Sequence, residues 1–292
     1  MTKQEALNRL HQLLNARKMA DKTHSNYHRW VARLIDYFNP EDVRTLTLFD
    51  AQDYLIELTE KEKYADSSYN GAVEAIRFFF AAVLGIDYSP KQLCKRKIEI
   101  IQKNPIMPAQ ARQLLDNCSD PQLKAYIALA FSCGLRSIEI VRLTFKDINK
   151  GSQTLTIHYS KGKRTRTVPY PPAAAEILNE YFLHCQPDRS SPENYVFQQK
   201  KRPGKRLNTS AVTNSFVQYL QTFSFYLPDQ TFHGLRHAFA TALAENNIPL
   251  IKIQKLMGHA SIATTALYIH VPPVQTNDYV DVITGVFYET EF

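Results

Sequence analysis

Apolar residues recur every three or four positions through most of this chain, and that spacing makes helices its main building material. Leu7, Leu10, Leu13 and Leu14 predict a helix over 3–17. Tyr27, Trp30, Leu34 and Phe38 predict a second, with Thr23 as its cap. Helices over 48–60 and 66–84 follow, with Leu55, Leu58, Val73, Ile76, Phe80 and Val83 on their apolar faces. Only nine of the 292 residues are glycine, which suits long helices. Beyond Pro108 the spacing predicts helices near 109–117, 121–133, from Arg136 onward, 172–184, 209–223, 231–246, 249–257 and 261–270. TLTIHYSKGKRTRTVPY (154–170) interrupts this pattern as a β-hairpin around a Lys-Gly-Lys turn, and YVF (195–197) reads as a short strand. The expected fold is mainly α: a helical domain over 1–90, a basic linker over 91–108 broken by two prolines, a mixed α/β domain with a small antiparallel sheet over 109–270, and a tail over 271–292.

Charge narrows the partner. Residues 1–100 carry 15 basic and 14 acidic groups, residues 101–270 carry 20 and 10, and residues 271–292 carry four acidic groups and no basic one. A basic central block points to a polyanion, most simply DNA or RNA. No apolar run approaches the ~20 residues of a membrane span, and MTKQEALNRL lacks the core of a signal peptide, so a cytoplasmic protein without membrane contact is expected. Cys94, Cys118, Cys133 and Cys185 are scattered, which fits neither a disulfide framework nor a zinc knuckle.

Three segments carry chemistry: GLRSIEIVRL (134–143), HGLRHAFAT (233–241) and LMGHASIATTALYIH (256–270). Each has an ordinary reading as well: Arg136 on a helix surface, His233 and Arg236 capping or pairing within a helix, Tyr268 packed in a core. His233 and His237 have the spacing of zinc ligands, but no glutamate lies between them and no third ligand is evident, so no metal is expected. Taken together, Arg136, Lys161, His233, Arg236, His259 and Tyr268, in this order, resemble the catalytic signature of tyrosine recombinases and phage-type integrases, above all their Xer-like branch. GLRSIEIVRLTFKDI resembles the family's first box, with Glu139 in place, and LMGHASIATTALYIHV its last. His259 follows Arg236 by 23 residues and precedes Tyr268 by nine, as in the family. KTHSNYHRWVARLIDYFN (22–39) is similar to its N-terminal core-binding, SAM-like domain.

The resemblance implies a site-specific recombinase that cuts and rejoins double-stranded DNA through a 3′-phosphotyrosine, without metal, nucleotide or other cofactor. Tyr268 would be the nucleophile, Arg136 and Arg236 the phosphate clamp, and Lys161 the general acid for the leaving 5′-oxygen. Lys163 is the alternative, although Ser160-Lys161-Gly162 fits the family's turn better. His233 and His259 would share hydrogen bonding and proton transfer, with Glu139 orienting an arginine or a histidine behind them. The chemistry asks for such groups. Two arginines offer always-charged, forked donors to the non-bridging oxygens, and a phenol with a pKa near 10 needs a base to act at neutral pH. Lys163, Arg164 and Arg166 of the hairpin, and Lys201, Arg202, Lys205 and Arg206 of the loop QKKRPGKR (199–206), are expected to contact the DNA backbone.

Such enzymes work on paired half-sites as a homotetramer or with a partner recombinase. In the tail Tyr279, Val282, Ile283, Val286 and Phe287 follow the spacing of an apolar helix face, to be docked on a neighbouring protomer or on the chain's own core. A start only about 20 residues before the core-binding helices is taken to leave no room for an arm-binding domain. Two other readings stay open: a non-cleaving DNA-binding protein, which predicts loss of catalytic positions, and a type IB topoisomerase, which needs no target site.

Overall fold

The first helix begins where the sequence supplies a cap: the Thr2 hydroxyl accepts from the Glu5 amide and the Glu5 carboxylate accepts from the Thr2 amide. The computed structural model describes residues 1–97, 104–158, 165–199, 201–259 and 261. It divides into two compact units, Met1–Gln102 and Lys103–Phe292.

Unit one is built from α1 (Lys3–Ala16), α2 (Asp21–Phe38), α3 (Leu48–Glu60) and α4 (Asp66–Phe78), the last continued by a π-helical turn over Phe79–Leu84. Thr23 does not cap α2. The helix starts two residues earlier, with Asp21 in its first turn where the helix dipole favours an acid. Leu7, Leu10, Trp30, Leu34, Leu55 and Ile76 are all buried, each contributing roughly 1.5–3 kcal/mol. The start of the segment read as a linker belongs to this unit. Leu93 is buried in its core, Arg77 Nε donates to the Leu93 carbonyl at 2.9 Å, and Asn70 exchanges two hydrogen bonds with the Arg96 backbone.

Unit two contains α5 (Pro108–Asp116), α6 (Pro121–Cys133), α7 (Ser137–Arg142), β1 (Ile148–Asn149), β2 (Thr154–His158), β3 (Thr165–Pro169), α8 (Pro172–Cys185), β4 (Gln198–Gln199), β5 (Arg202–Arg206), α9 (Thr209–Leu220), α10 (His233–Glu245) and α11 (Leu250–Met257). β1, β2 and β3 form one antiparallel sheet, in register at Leu155–Val168 and Ile157–Arg166. The basic segment 199–206, read as a loop, instead holds the end of β4 and all of β5, which pair as a second antiparallel hairpin. The buried Gln198 pins it: its Oε1 accepts from the Gly204 and Asp188 amides, and its Nε2 donates to the carbonyls of Asp188 and Tyr195. Tyr195 makes only an isolated bridge to Thr144, so the strand expected at 195–197 lies slightly later. The core beneath both hairpins gathers Tyr126, Phe197, Phe216 and Phe232, and α6 runs through it with an almost wholly apolar surface. Among the described residues no helix is long and apolar enough to cross a membrane. The helix expected over 261–270 and the tail lie outside the described residues.

Candidate active site

Gly134 ends α6 in the left-handed conformation, φ +61°. The turn it makes places Arg136 just before α7. Glu139 then completes a capping box: its Oε2 accepts from the Arg136 amide and its Oε1 from Arg136 Nη1, both at 2.9 Å. Gly134 also gives its carbonyl to Arg236, on the first turn of α10. Arg236, 1% exposed, reaches the Met257 carbonyl at the end of α11 as well, and His259 Nε2 at 2.9 Å. Its Nη1 stands 3.9 Å from Glu139 Oε2. Segments far apart in sequence thus bring Arg136 and Arg236 to the one carboxylate of Glu139, with His259 behind Arg236. His233 opens α10 and is exposed. Lys161, Lys163, Arg164 and Tyr268 lie outside the described residues.

Electrostatics set the protonation states. Burial alone would raise the Glu139 carboxyl, but the Arg166 hydrogen bonds and charge, then those of Arg136, bring it down to about 2. His259 is lowered to about 4, first by burial and then by the positive charges of Arg236 and Arg136. It is therefore neutral at pH 7, with Nε2 accepting from Arg236 and the proton left on Nδ1. Stability follows. An unfolded chain protonates His259 below about 6.5 and the folded chain only near 4, so stability present above pH 6.5 is lost as the pH falls between those values. Glu139 extends the loss, from the ordinary 4.5 down to about 2. In thermal melts, His259→Asn should flatten the dependence between pH 6.5 and 4.5 by on the order of 1–3 kcal/mol.

Arg166 departs from the expectation of a DNA contact. Its side chain is 8% exposed; Nη1 and Nη2 donate to the two Glu139 oxygens at 2.9 and 2.8 Å, and Nε donates to the Leu256 carbonyl at 2.9 Å. The signal was present in the strand alternation: Arg166 and Val168 share a face, and Val168 is in the core. Lys201, Arg202 and Lys205 are exposed and Arg206 half-buried, so four basic side chains line the outer hairpin. Asp147 was also missed as part of the site. It is buried, accepts from the Thr144 amide and hydroxyl, and lies 2.9 Å from His158 Nε2, tying β2 to the segment after α7. Among the described residues no group of three or more His, Cys, Asp or Glu side chains is placed to hold a metal ion.

The phage integrase family model matches residues 105–273, and the N-terminal SAM-like domain of phage integrases matches residues 7–90. The tyrosine recombinase XerA of Pyrococcus furiosus is 30% identical over 229 residues, covering 77% of each chain. The tyrosine recombinase XerC of Roseiflexus sp. is 28% identical over 96% of this chain and 95% of its own. Among solved structures, a lambda integrase dimer bound to a COC′ core site superposes over 92% of this chain and 77% of its own, with a TM-score of 0.69 at 19% identity, a likeness of fold. The chain belongs to the phage integrase family and is a tyrosine recombinase of the Xer-like kind.

Proposed function

We propose that this site-specific DNA recombinase cuts its substrate with Tyr268, on a phosphate held between Arg136 and Arg236. The observation that carries this reading is the shared carboxylate of Glu139, which holds Arg136 at 2.9 Å and has Arg236 at 3.9 Å. Two guanidinium groups so placed face the oxygens on which charge builds as the phosphodiester is attacked, and such preorganised donors are often the largest catalytic term. The phenolic oxygen of Tyr268 forms its bond to phosphorus as the bond to the 5′-oxygen breaks. His233, exposed at the start of α10, takes the phenolic proton, because the Nε2 lone pair of His259 is already engaged by Arg236. Lys161, which lies between β2 and β3 in the sequence, protonates the leaving oxygen. The reverse steps rejoin the strands. The partner is double-stranded DNA with paired half-sites, served by four copies of this chain or by this chain with a second recombinase.

Covalent capture tests the reading. Incubated with a library of nicked random duplexes, the wild-type chain should retain a defined half-site through denaturing electrophoresis, with the adduct mapping to the peptide holding Tyr268. No adduct, or one on another residue, would refute it. Cleavage should also persist in excess EDTA, since the charge and proton work falls to side chains; an absolute need for magnesium in that step would contradict the proposed roles.

The outer hairpin is proposed to meet the DNA backbone. Each phosphate contact adds roughly 0.9 to the slope of log affinity against log salt. Replacing Lys201, Arg202, Lys205 and Arg206 by glutamine should make that slope shallower, by up to the sum for the contacts made. An unchanged slope would place these residues in solvent.

A further inference from the structure

We propose that Arg166 is a positioning residue for strand cleavage: its guanidinium sets the plane of the Glu139 carboxylate, and through it the Arg136 group that meets the phosphate. This rests on the function proposed above. Arg136 caps the short helix α7 and Glu139 lies three residues on, in its first turn; the Arg136 side chain is 33% exposed. Arg136 itself gives each carboxylate oxygen one bond, from its amide and from Nη1, and only the second involves the guanidinium. Arg166 fixes the carboxylate plane from the other side by donating one N–H to each oxygen, the forked geometry a guanidinium is built for. With the carboxylate plane held, its remaining acceptor positions face the Arg136 amide and Nη1.

The third donor of Arg166 extends the arrangement. Nε binds the Leu256 carbonyl, three residues before His259, so one guanidinium joins strand β3, helix α7 and the end of α11. β3 also begins four residues after Lys161 in the sequence. Charge fits as well. Arg136, Arg166 and Arg236 surround a single carboxylate, leaving an excess of positive charge for a phosphodiester anion to balance. A buried ion pair that merely held the hairpin would need only the Arg166–Glu139 contact. Here the same carboxylate also carries a group aimed at substrate.

The test compares substrates within one protein. The duplex captured by the wild-type chain is synthesised with an ordinary scissile phosphodiester, or with each isomer of a methylphosphonate there. Methyl replaces one charged non-bridging oxygen, so that substrate depends less on one arginine. Arg166→Gln should slow single-turnover cleavage of the phosphodiester about 10–100-fold, the range typical when a group orienting a functional residue is lost. The deficit should shrink to a few-fold on one methylphosphonate isomer. Arg166→Lys, which keeps the charge but not the fork, should behave in the same way, and it carries the comparison if the Gln variant does not fold. Partial unfolding lowers both rates equally and cancels in their ratio. Equal losses on all substrates would show that Arg166 serves the fold alone and overturn the proposal, as would a wild-type rate in Arg166→Lys. A wild-type chain that forms no adduct would instead sink the underlying reading, and this proposal with it.

Discussion

Tyr268→Phe should abolish the covalent protein–DNA adduct while leaving the protein folded and able to bind its half-site. The substitution removes one oxygen and keeps the ring, so packing around it changes little. The loss of rate is on the order of 10⁶, the scale seen when a covalent catalyst is deprived of its nucleophile. Water reacting in its place would give a free phosphate end rather than a protein-linked one. Gel-shift titration and a denaturing gel on the same samples separate the effects: binding within a few-fold of wild type, no shifted protein band. A Phe variant that still forms the adduct would move the nucleophile elsewhere in the chain.

Arg236→Lys should be nearly as damaging to cleavage, by roughly 10²–10³-fold, the cost of losing one well-placed charge-stabilising donor. The charge survives but the fork does not. An ammonium at this buried position cannot serve the Gly134 and Met257 carbonyls, His259 and a phosphate oxygen together. Its hydration is also harder to replace, so a drop in melting temperature should accompany the kinetic loss. Half-site affinity should change far less, because many phosphate contacts share that energy. Single-turnover cleavage at saturating protein isolates the chemical step, and a rate within a few-fold of wild type would remove Arg236 from the clamp.

Most helices were legible because their cause is local. The leucines of α1 and the Leu55–Leu58 and Val73–Ile76 sets declare their buried faces by spacing alone. Arg136, Glu139, Arg236 and His259 were legible for a different reason, as words in a resemblance, and the structure brings these four side chains together. What escaped was long-range. The β4–β5 hairpin depends on Gln198 reaching Asp188 and Gly204, and nothing in a run of lysines and arginines announces such a partner. Arg166 was hidden by its neighbours: in a hairpin so rich in positive charge, composition spoke louder than alternation, although its pairing opposite the buried Ile157 sets its direction inward. The segment after Pro90 was likewise judged by its lysines, while Leu93 decided its place.

Two of the groups that hold Arg236 are main-chain carbonyls, at Gly134 and Met257. Every amino acid carries a carbonyl, so an anchor of this kind tolerates drift in the side chains around it, and a lineage could repaint much of this surface without moving the guanidinium. That tolerance stops at Gly134. Its backbone is left-handed, and an added Cβ would run into the Phe239 ring on the very helix that bears Arg236. Even alanine there would have to displace that ring and strain the left-handed turn, and a turn that relaxes carries the carbonyl away from the arginine. A guanidinium insured against most mutations has its exposure to risk gathered into one residue that has no side chain.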